Sequence, residues 1–168
     1  GVRSPFMVVN LKSIPEMRRL KVTAAQIEIG ALVTLSDLLN SPDIQRVLPA
    51  LAETLRLTAA TQIRNNATVG GNICQRPRCW YYRDASFNCL KKGGELCYAR
   101  EGENEYHAIF DNATCNIVHP SNLAPVFIAH DALFEVTGPD GTETIPAGEF
   151  FISPEEDITA ETILMPQQ

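Results

Sequence analysis

The chain has 168 residues, of which 45% are hydrophobic and 20% are charged, a balance typical of a folded globular domain and not of a disordered segment. Its formal net charge of -6 disfavours nucleic acid as a partner, because the neutralisation of phosphates requires clustered lysine and arginine. No apolar run approaches the roughly 20 residues that span a bilayer, so we expect no membrane association.

Short strands followed by short helices are predicted in the first part of the chain. The predicted elements are a strand at residues 8–11, a helical turn at 13–17, strands at 20–22 and 26–31, and helices at 34–39, 43–48 and 50–58. Ser41, Pro42 and Asp43 form a helix start signal, with a capping hydroxyl, a proline in the first position and an acid in the first turn. Pro49 should separate the last two helices, because proline inside a helix costs about 3 kcal/mol.

Residues 73–115 differ from the rest of the chain, because they show no clear hydrophobic period. A loop of this length without secondary structure is uncommon in a compact domain and is usually functional. Within it we predict only a strand at residues 107–110. The predicted elements after it are a helix at 122–130 capped by Ser121, then a hairpin with strands at 132–137 and 142–145 and a Gly138-Pro139-Asp140-Gly141 turn.

A pair of glycines lies at the centre of the polar stretch Thr68-Val69-Gly70-Gly71-Asn72. Glycine lets a ligand approach the main chain closely, and successive amides in a tight turn form a concavity that accepts anions. Thr68 and Asn72 add side-chain donors and acceptors at its two ends. The glycine pair by itself favours an ordinary hairpin turn, so a wider pattern is needed to assign a ligand.

All five cysteines fall between residues 74 and 115, and an odd number suits a disulfide framework poorly. The spacing Cys79-x9-Cys89-x7-Cys97-x17-Cys115 matches neither a zinc ribbon nor a ferredoxin. Spacing alone therefore leaves the bound metal open. The nearby basic residues would stabilise a negatively charged cluster, or form a solvated face or a docking surface; they are Arg76, Arg78, Arg83, Lys91 and Lys92.

No side-chain catalytic site is predicted. The three histidines, His107, His119 and His130, lack the spacing of metal ligands, and we assign them structural roles. No nucleophile–base pair or pair of carboxylates can be identified. A protein without such groups is expected to leave the chemistry to a bound cofactor.

Several motifs together resemble one known family. They are Gln62-Ile63-Arg64-Asn65, Ala67-Thr68-Val69-Gly70-Gly71-Asn72, Gln75 with Arg78-Cys79-Trp80-Tyr81, His119-Pro120-Ser121-Asn122-Leu123-Ala124-Pro125 and Ile145-Pro146-Ala147-Gly148-Glu149-Phe150-Phe151. The chain resembles, over nearly its whole length, the FAD-binding (medium) subunit of the xanthine dehydrogenase family of molybdenum hydroxylases. It is most similar to the branch whose flavin subunit also holds a 4Fe–4S cluster, that of the periplasmic aldehyde oxidoreductases and 4-hydroxybenzoyl-CoA reductase.

The resemblance implies an α+β fold, the FAD-binding domain of the molybdenum-hydroxylase and vanillyl-alcohol-oxidase (PCMH) type, with a small mixed-sheet lobe and an antiparallel-sheet lobe. Residues 1–60 would be the remainder of the N-terminal FAD-binding lobe, and residues 61–168 the second lobe with an inserted iron–sulfur loop at 73–115. The resemblance starts after the family's first Gly-rich flavin loop and stops near Pro166. We therefore expect a piece truncated at both ends, which would bind FAD weakly or not at all on its own.

The resemblance also implies the site residues. The flavin would be held through the backbone amides of Thr68, Val69, Gly70, Gly71 and Asn72, and by Ser121 and Asn122. Asn122 stands where the family often has aspartate, and a plain helix cap is the alternative for this pair. The ligands of the 4Fe–4S cluster would be Cys79, Cys89, Cys97 and Cys115, with Cys74 left as a free thiol.

The partners implied are a large subunit with the molybdenum cofactor and a small subunit with 2Fe–2S clusters, in a heterotrimer or its dimer. The chain would relay electrons between iron–sulfur clusters, FAD and an external acceptor. Such complexes occur in the cytoplasm, or in the periplasm through a partner's export signal. The alternative is a non-catalytic interaction domain that is stapled by zinc or a cluster and binds no flavin.

Overall fold

The computed structural model describes residues 6–110 and 114–164, which form two compact units. The helical unit comprises residues 6–74 and 121–130, and the cysteine unit comprises residues 75–110, 114–120 and 131–164. The lobe boundary predicted between residues 60 and 61 stays a prediction, because these units are defined by packing and not by flavin contacts.

The elements in chain order are β1 (Leu20–Val22), β2 (Ile27–Ile29), α1 (Leu35–Asn40), α2 (Pro42–Val47), α3 (Pro49–Leu57), α4 (Thr61–Arg64), α5 (Val69–Ile73), α6 (Trp80–Arg83), α7 (Ala124–Ala129), β3 (Leu133–Gly138), β4 (Gly141–Pro146) and α8 (Ala147–Phe150). Short 3₁₀ turns cover Leu11–Ser13, Glu16–Arg18 and Leu90–Lys92. Among the described residues, no helix combines the length and the apolarity that a bilayer crossing needs.

Each unit carries a two-stranded antiparallel sheet. In the helical unit, β1 pairs with β2 so that Leu20 lies opposite Ile29. In the cysteine unit, β3 pairs with β4 from Leu133 opposite Pro146 to Gly138 opposite Gly141. Gly141 has a φ of 124°, which explains why glycine ends the predicted turn. The sequence predicted the pairing of β3 with β4, whereas for β1 and β2 it predicted the two strands and not their pairing.

The core of the helical unit forms around α3, which contacts α1, α2 and α7. Its fully buried residues include Leu35, Leu38, Ile44, Leu51, Leu55 and Leu123. Pro49 is the first residue of α3 and separates it from α2, as predicted, because this position needs no amide donor. Thr34 and Asp37 form a capping box on α1, which satisfies backbone amides at the helix start.

Three local predictions are wrong: two predicted strands do not form, and one predicted turn is part of a helix. Residues 8–11 form no strand, since Val8 and Val9 are exposed and no strand pairs with them in the described residues. Residues 107–110 form no strand either; Ile109 and Phe110 are exposed. The Gly70-Gly71 pair lies inside α5 and not in a tight turn; Thr68 caps this helix through the Gly71 amide, and the Gly70 amide donates to the Ala31 carbonyl.

Candidate functional site

The segment that leads into α5 is fixed by main-chain pairing with the segment before α1. Thr34 and Thr68 form an antiparallel bridge. On either side of it, the Leu35 amide donates to the Ala67 carbonyl at 2.9 Å and the Val69 amide to the Val33 carbonyl at 3.0 Å. The proposed flavin segment is therefore part of the packed framework of the helical unit, although sequence reasoning treated it as a free loop.

All four amides from Val69 to Asn72 already have acceptors inside the helical unit. Besides the Val69 bond, the Gly70 amide donates to the Ala31 carbonyl at 2.8 Å. Thr68 caps α5: its hydroxyl accepts from the Gly71 amide at 3.1 Å, and its carbonyl accepts from the Asn72 amide at 2.9 Å. These amides cannot serve a ligand without giving up those bonds, so the fit to a flavin rests on exposed atoms of the segment instead.

The two glycines have different surroundings. A Cβ on Gly70 would lie 2.9 Å from the Cβ of Ala31 and 3.1 Å from its carbonyl oxygen, so Gly70 is required by packing. A Cβ on Gly71 would meet only the Thr68 hydroxyl, at 3.0 Å, and Gly71 is exposed. The open main-chain face that a planar cofactor could approach is therefore that of Gly71.

The structure brings Asn72 and Ser121 together, although 49 positions separate them. Both are buried, and the Ser121 hydroxyl donates to Asn72 Oδ1 at 2.7 Å. The same oxygen accepts from the Leu123 amide at 3.4 Å, while Ser121 Oγ accepts from the Ala124 amide at 3.0 Å. The two sequence segments assigned to the flavin thus meet where α5 faces the start of α7. The helix begins at Ala124 with Leu123 in the N-cap position, two residues later than predicted, and Ser121 accepts from its first amide without being the cap residue.

Asn122 is exposed beside this junction, and its side-chain amide group forms a hydrogen bond that fixes its position. Its Nδ2 donates to the hydroxyl of Thr58 at 3.1 Å, and that hydroxyl donates to the Thr54 carbonyl at 2.7 Å. Because the hydroxyl proton is already committed, an aspartate at position 122 could not form this contact. The residue therefore matches its local surroundings, whereas the family's usual aspartate would not. Thr58 gave no signal in the sequence.

The second site is a pocket of the cysteine unit, which we call the cysteine pocket. It is lined by Cys79, Cys89, Cys97 and Cys115, together with Tyr81, Tyr82, Leu90, Lys91, Tyr98, Ala99 and Ile117. Cys89 and Cys115 are buried, and the other two cysteines are half-buried. Cys74 is exposed in the helical unit. The structure thus brings the four predicted ligands to one place.

Two polar side chains contact the sulfurs of this pocket. His107 Nε2 lies 3.2 Å from Cys79 Sγ, with its ring edge-on to Trp80. The Cys97 thiol donates to Asn116 Oδ1 at 3.4 Å. Sequence reasoning gave His107 only a structural role and did not consider Asn116, because contacts between such distant positions leave no trace in local spacing.

Burial raises the pKa of the Cys79 and Cys115 thiols. Backbone hydrogen bonds from Tyr82 and Tyr81 oppose the effect on the Cys79 pKa, and the positive charge of Lys91 opposes it for Cys115. Both thiols are therefore protonated at neutral pH while no metal is bound. A metal that binds here must displace those protons, so its uptake should weaken as the pH falls.

The thiols do not form a ready-made site for a single ion. Four thiolates that bind one zinc at about 2.3 Å lie within about 4 Å of each other. Among the described residues, no group of three or more His, Cys, Asp or Glu side chains is arranged to hold a single metal ion.

The predicted basic residues have distinct positions. Lys91 is buried at the cysteine pocket, whereas Lys92 is exposed and donates to the Asp84 carbonyl. Arg83 donates to the Pro77 carbonyl, Arg78 to the Gln75 side chain, and Arg76 pairs with Glu161. Only some of these cations can therefore act on the pocket directly.

Comparison with known proteins finds similarity to one family over most of the chain. A family model described as the FAD binding domain in molybdopterin dehydrogenase matches residues 1–166. The chain is 32% identical to the aldehyde oxidoreductase FAD-binding subunit PaoB of Escherichia coli K12, over 98% of the chain and 53% of that protein. It is 29% identical to the carbon monoxide dehydrogenase medium chain of Hydrogenophaga pseudoflava, over 88% of the chain and 37% of that protein. The chain spans about half the length of the first relative and less of the second.

Solved structures agree with the fold. Carbon monoxide dehydrogenase from Hydrogenophaga pseudoflava, in a form that lacks the Mo-pyranopterin moiety, matches with a TM-score of 0.58 at 28% identity, over 92% of this chain and 38% of that one. Quinoline 2-oxidoreductase from Pseudomonas putida 86 matches with a TM-score of 0.53 at 16% identity, over 84% of this chain and 35% of that one. These matches confirm the predicted fold class.

Proposed function

The chain belongs to the family of FAD-binding domains of molybdopterin dehydrogenases, and we propose on that basis that it forms part of the flavin subunit of a molybdenum-containing hydroxylase or dehydrogenase. In this role it relays electrons between iron–sulfur clusters, FAD and an external acceptor. The partners proposed are a large subunit with the molybdenum cofactor and a small subunit with 2Fe–2S clusters. Support comes from the relatives, which are named as a FAD-binding subunit and a medium chain.

The residues proposed to hold FAD are Thr68, Val69, Gly70, Gly71, Asn72, Ser121 and Asn122, in two groups. Gly71, Thr68 and Asn122 present backbone or side-chain atoms at or near the surface and would contact the cofactor. Val69, Gly70, Asn72 and Ser121 would position those residues from within, through the main-chain pairing and the Asn72–Ser121 hydrogen bond. Bound FAD would exchange electrons both in pairs and singly, chemistry that no side chain of this chain supplies.

The cysteine pocket is proposed to hold a 4Fe–4S cluster, and the convergence of its four cysteines is the observation that carries this proposal. Four thiolates are the donor set that such a cluster uses. The described residues 79–110 contain little regular structure, and a covalently bound core would hold this segment in place. An N–H at His107 Nε2, which lies 3.2 Å from Cys79 Sγ, would donate to that cluster-bound sulfur and raise the reduction potential.

Serine substitutions test the ligand set. In the whole purified subunit, Cys79→Ser, Cys89→Ser, Cys97→Ser and Cys115→Ser should each lower the iron and acid-labile sulfide content, because a hydroxyl replaces a thiolate ligand. Cys74→Ser is the matched control and should leave iron unchanged, since Cys74 is exposed in the other unit. Flavin content, measured in parallel, should stay near the wild-type value in all five variants.

The outcomes separate the proposals. Wild-type iron in Cys79→Ser, Cys89→Ser and Cys97→Ser would remove the cysteine pocket as the cluster site. Iron retained only in Cys115→Ser would show that a different group is the fourth ligand. A protein that contains zinc, no iron and no flavin would instead support the metal-stapled interaction domain.

A further inference from the structure

A buried lysine lies in the wall of the cysteine pocket. The side chain of Lys91 is 1% exposed, and the residue lines the same pocket as the four cysteines. Its ammonium group donates to the carbonyl oxygens of Ile158 at 2.8 Å and Ala160 at 3.2 Å. Lysine is almost never fully buried unless it is paired, so this position calls for a specific explanation.

Lys91 belongs to a network of two cations and one anion. Glu161 Oε1 lies 2.9 Å from Lys91 Nζ, and Glu161 Oε2 lies 3.3 Å from Arg76 Nε. The network therefore carries one net positive charge. Asp157 also interacts with Lys91, but its carboxylate is exposed and accepts hydrogen bonds from Thr159, so solvent screens most of its charge. Arg76 is half exposed and neither it nor Glu161 lines the cysteine pocket, so Lys91 is the charged residue of the network that lies against the pocket.

We infer that the Arg76–Glu161–Lys91 network fixes a positive charge against the cysteine pocket and raises the reduction potential of the cluster proposed to bind there. This inference rests on the proposed function. A cluster with four thiolate ligands is negatively charged, and its reduction adds one electron with no other bond change. A fixed positive charge in a medium of low dielectric constant stabilises the more negative reduced form more strongly than the oxidised form.

A purely structural role of the Arg76–Glu161–Lys91 network predicts different shifts of the reduction potential from a charge effect. The same contacts tie residues 76 and 91 to the segment 158–161, so loss of any member could simply loosen the pocket. Loosening of the pocket would shift the reduction potential of the cluster in the same direction whether Lys91 or Glu161 is removed. A charge effect changes sign with the charge removed, and it should be far weaker for a cation at the surface.

Three variants of the whole subunit in its complex separate these effects. Lys91→Gln removes a positive charge from the network, Glu161→Gln removes its negative charge, and Lys92→Gln is the matched control, since Lys92 is the exposed neighbour. Iron and acid-labile sulfide are measured first. The midpoint potential is then measured by titration with dithionite, which supplies the electron, and followed by electron paramagnetic resonance of the reduced cluster.

We expect Lys91→Gln to lower the equilibrium constant for reduction about tenfold, a shift of about 59 mV to more negative potential for one electron. Glu161→Gln should shift the potential to more positive values, and Lys92→Gln should leave it close to wild type because solvent screens exposed charges. If Lys91→Gln loses its iron, the comparison of Glu161→Gln with Lys92→Gln carries the test.

Three results of these measurements would contradict the inference, each in a different way. Wild-type potentials in all the iron-loaded variants would overturn the inference and leave the cluster standing. Shifts of Lys91→Gln and Glu161→Gln in the same direction would assign the network a structural role only. Wild-type subunit that contains no iron would overturn the proposed cluster, and the inference with it.

Discussion

At the scale of single residues, Gly70 and Gly71 of the proposed flavin segment are subject to different constraints. Gly70 is glycine because Ala31 leaves no room for a Cβ, which is a requirement of the fold. Gly71 has an exposed backbone and only the Thr68 hydroxyl nearby, so the fold alone does not demand glycine there. Neither lies among the glycines with positive φ in the described residues, which are Gly93 and Gly141. Backbone conformation therefore explains neither glycine: packing against Ala31 explains Gly70, and for Gly71 we propose the close approach of the cofactor.

The two glycines should therefore respond differently to alanine. Gly70→Ala should lower the free energy of unfolding by about 1–3 kcal/mol, because the new methyl group overpacks against Ala31. Gly71→Ala should change it by less than about 1 kcal/mol, since alanine favours the helix and the Thr68 hydroxyl needs to move only slightly. Urea denaturation of the whole subunit measures both changes.

Flavin content then tests whether Gly71 contacts the cofactor. We expect Gly71→Ala to weaken FAD binding, because the methyl group would occupy the open main-chain face, while the fold is retained. Isothermal titration of the flavin-free subunit with FAD provides the affinity. Unchanged FAD affinity in a stably folded Gly71→Ala variant would show that the cofactor does not contact this face.

At the scale of secondary-structure elements, the hydrogen bond between Asn72 of α5 and Ser121 before α7 joins two distant segments of the helical unit. Asn72→Ala and Ser121→Ala should each cost about 1–3 kcal/mol, because each removes buried hydrogen bonds. The double variant should cost less than the sum, since the hydrogen bond between the two side chains is lost only once. Urea denaturation provides all three values.

Asn66→Ala is the matched control for this cycle. The Asn66 side chain donates to the Gln62 carbonyl at the surface, so its loss should change stability by no more than about 0.5 kcal/mol. Strictly additive effects of Asn72→Ala and Ser121→Ala would show that these two side chains do not act as a pair.

The elements that could be predicted from the sequence are those with local causes. Thr34 and Ser41 cap helices through their own hydroxyls, and Pro49 starts α3, so these signals lie within a few residues of their effects. The paired strands were predicted because both partners are close in sequence. Residues 8–11 had the composition of a strand but no partner, and the bond of the Gly70 amide to the distant Ala31 carbonyl has no local signal in the sequence.

At the scale of the whole molecule, the resemblance identified the family and the cysteine set, but their surroundings needed the fold. Nothing in the local sequence places Lys91 between the cysteine pocket and Glu161, or His107 beside Cys79. These contacts cross 28 or more positions and depend on how residues 75–110, 114–120 and 131–164 pack in the cysteine unit. Such contacts decide the charge and hydrogen bonding around a bound cofactor, which motifs do not encode.

The central claim, that one chain contributes to a flavin site and holds a 4Fe–4S cluster, is tested most directly by the metal and flavin content of the whole subunit purified with its partners. Its absorption spectrum should show flavin bands over a broad iron–sulfur band, and analysis of the separated subunit should give one FAD with about four irons and four sulfides. Zinc in place of iron, with a colourless subunit, would contradict the account.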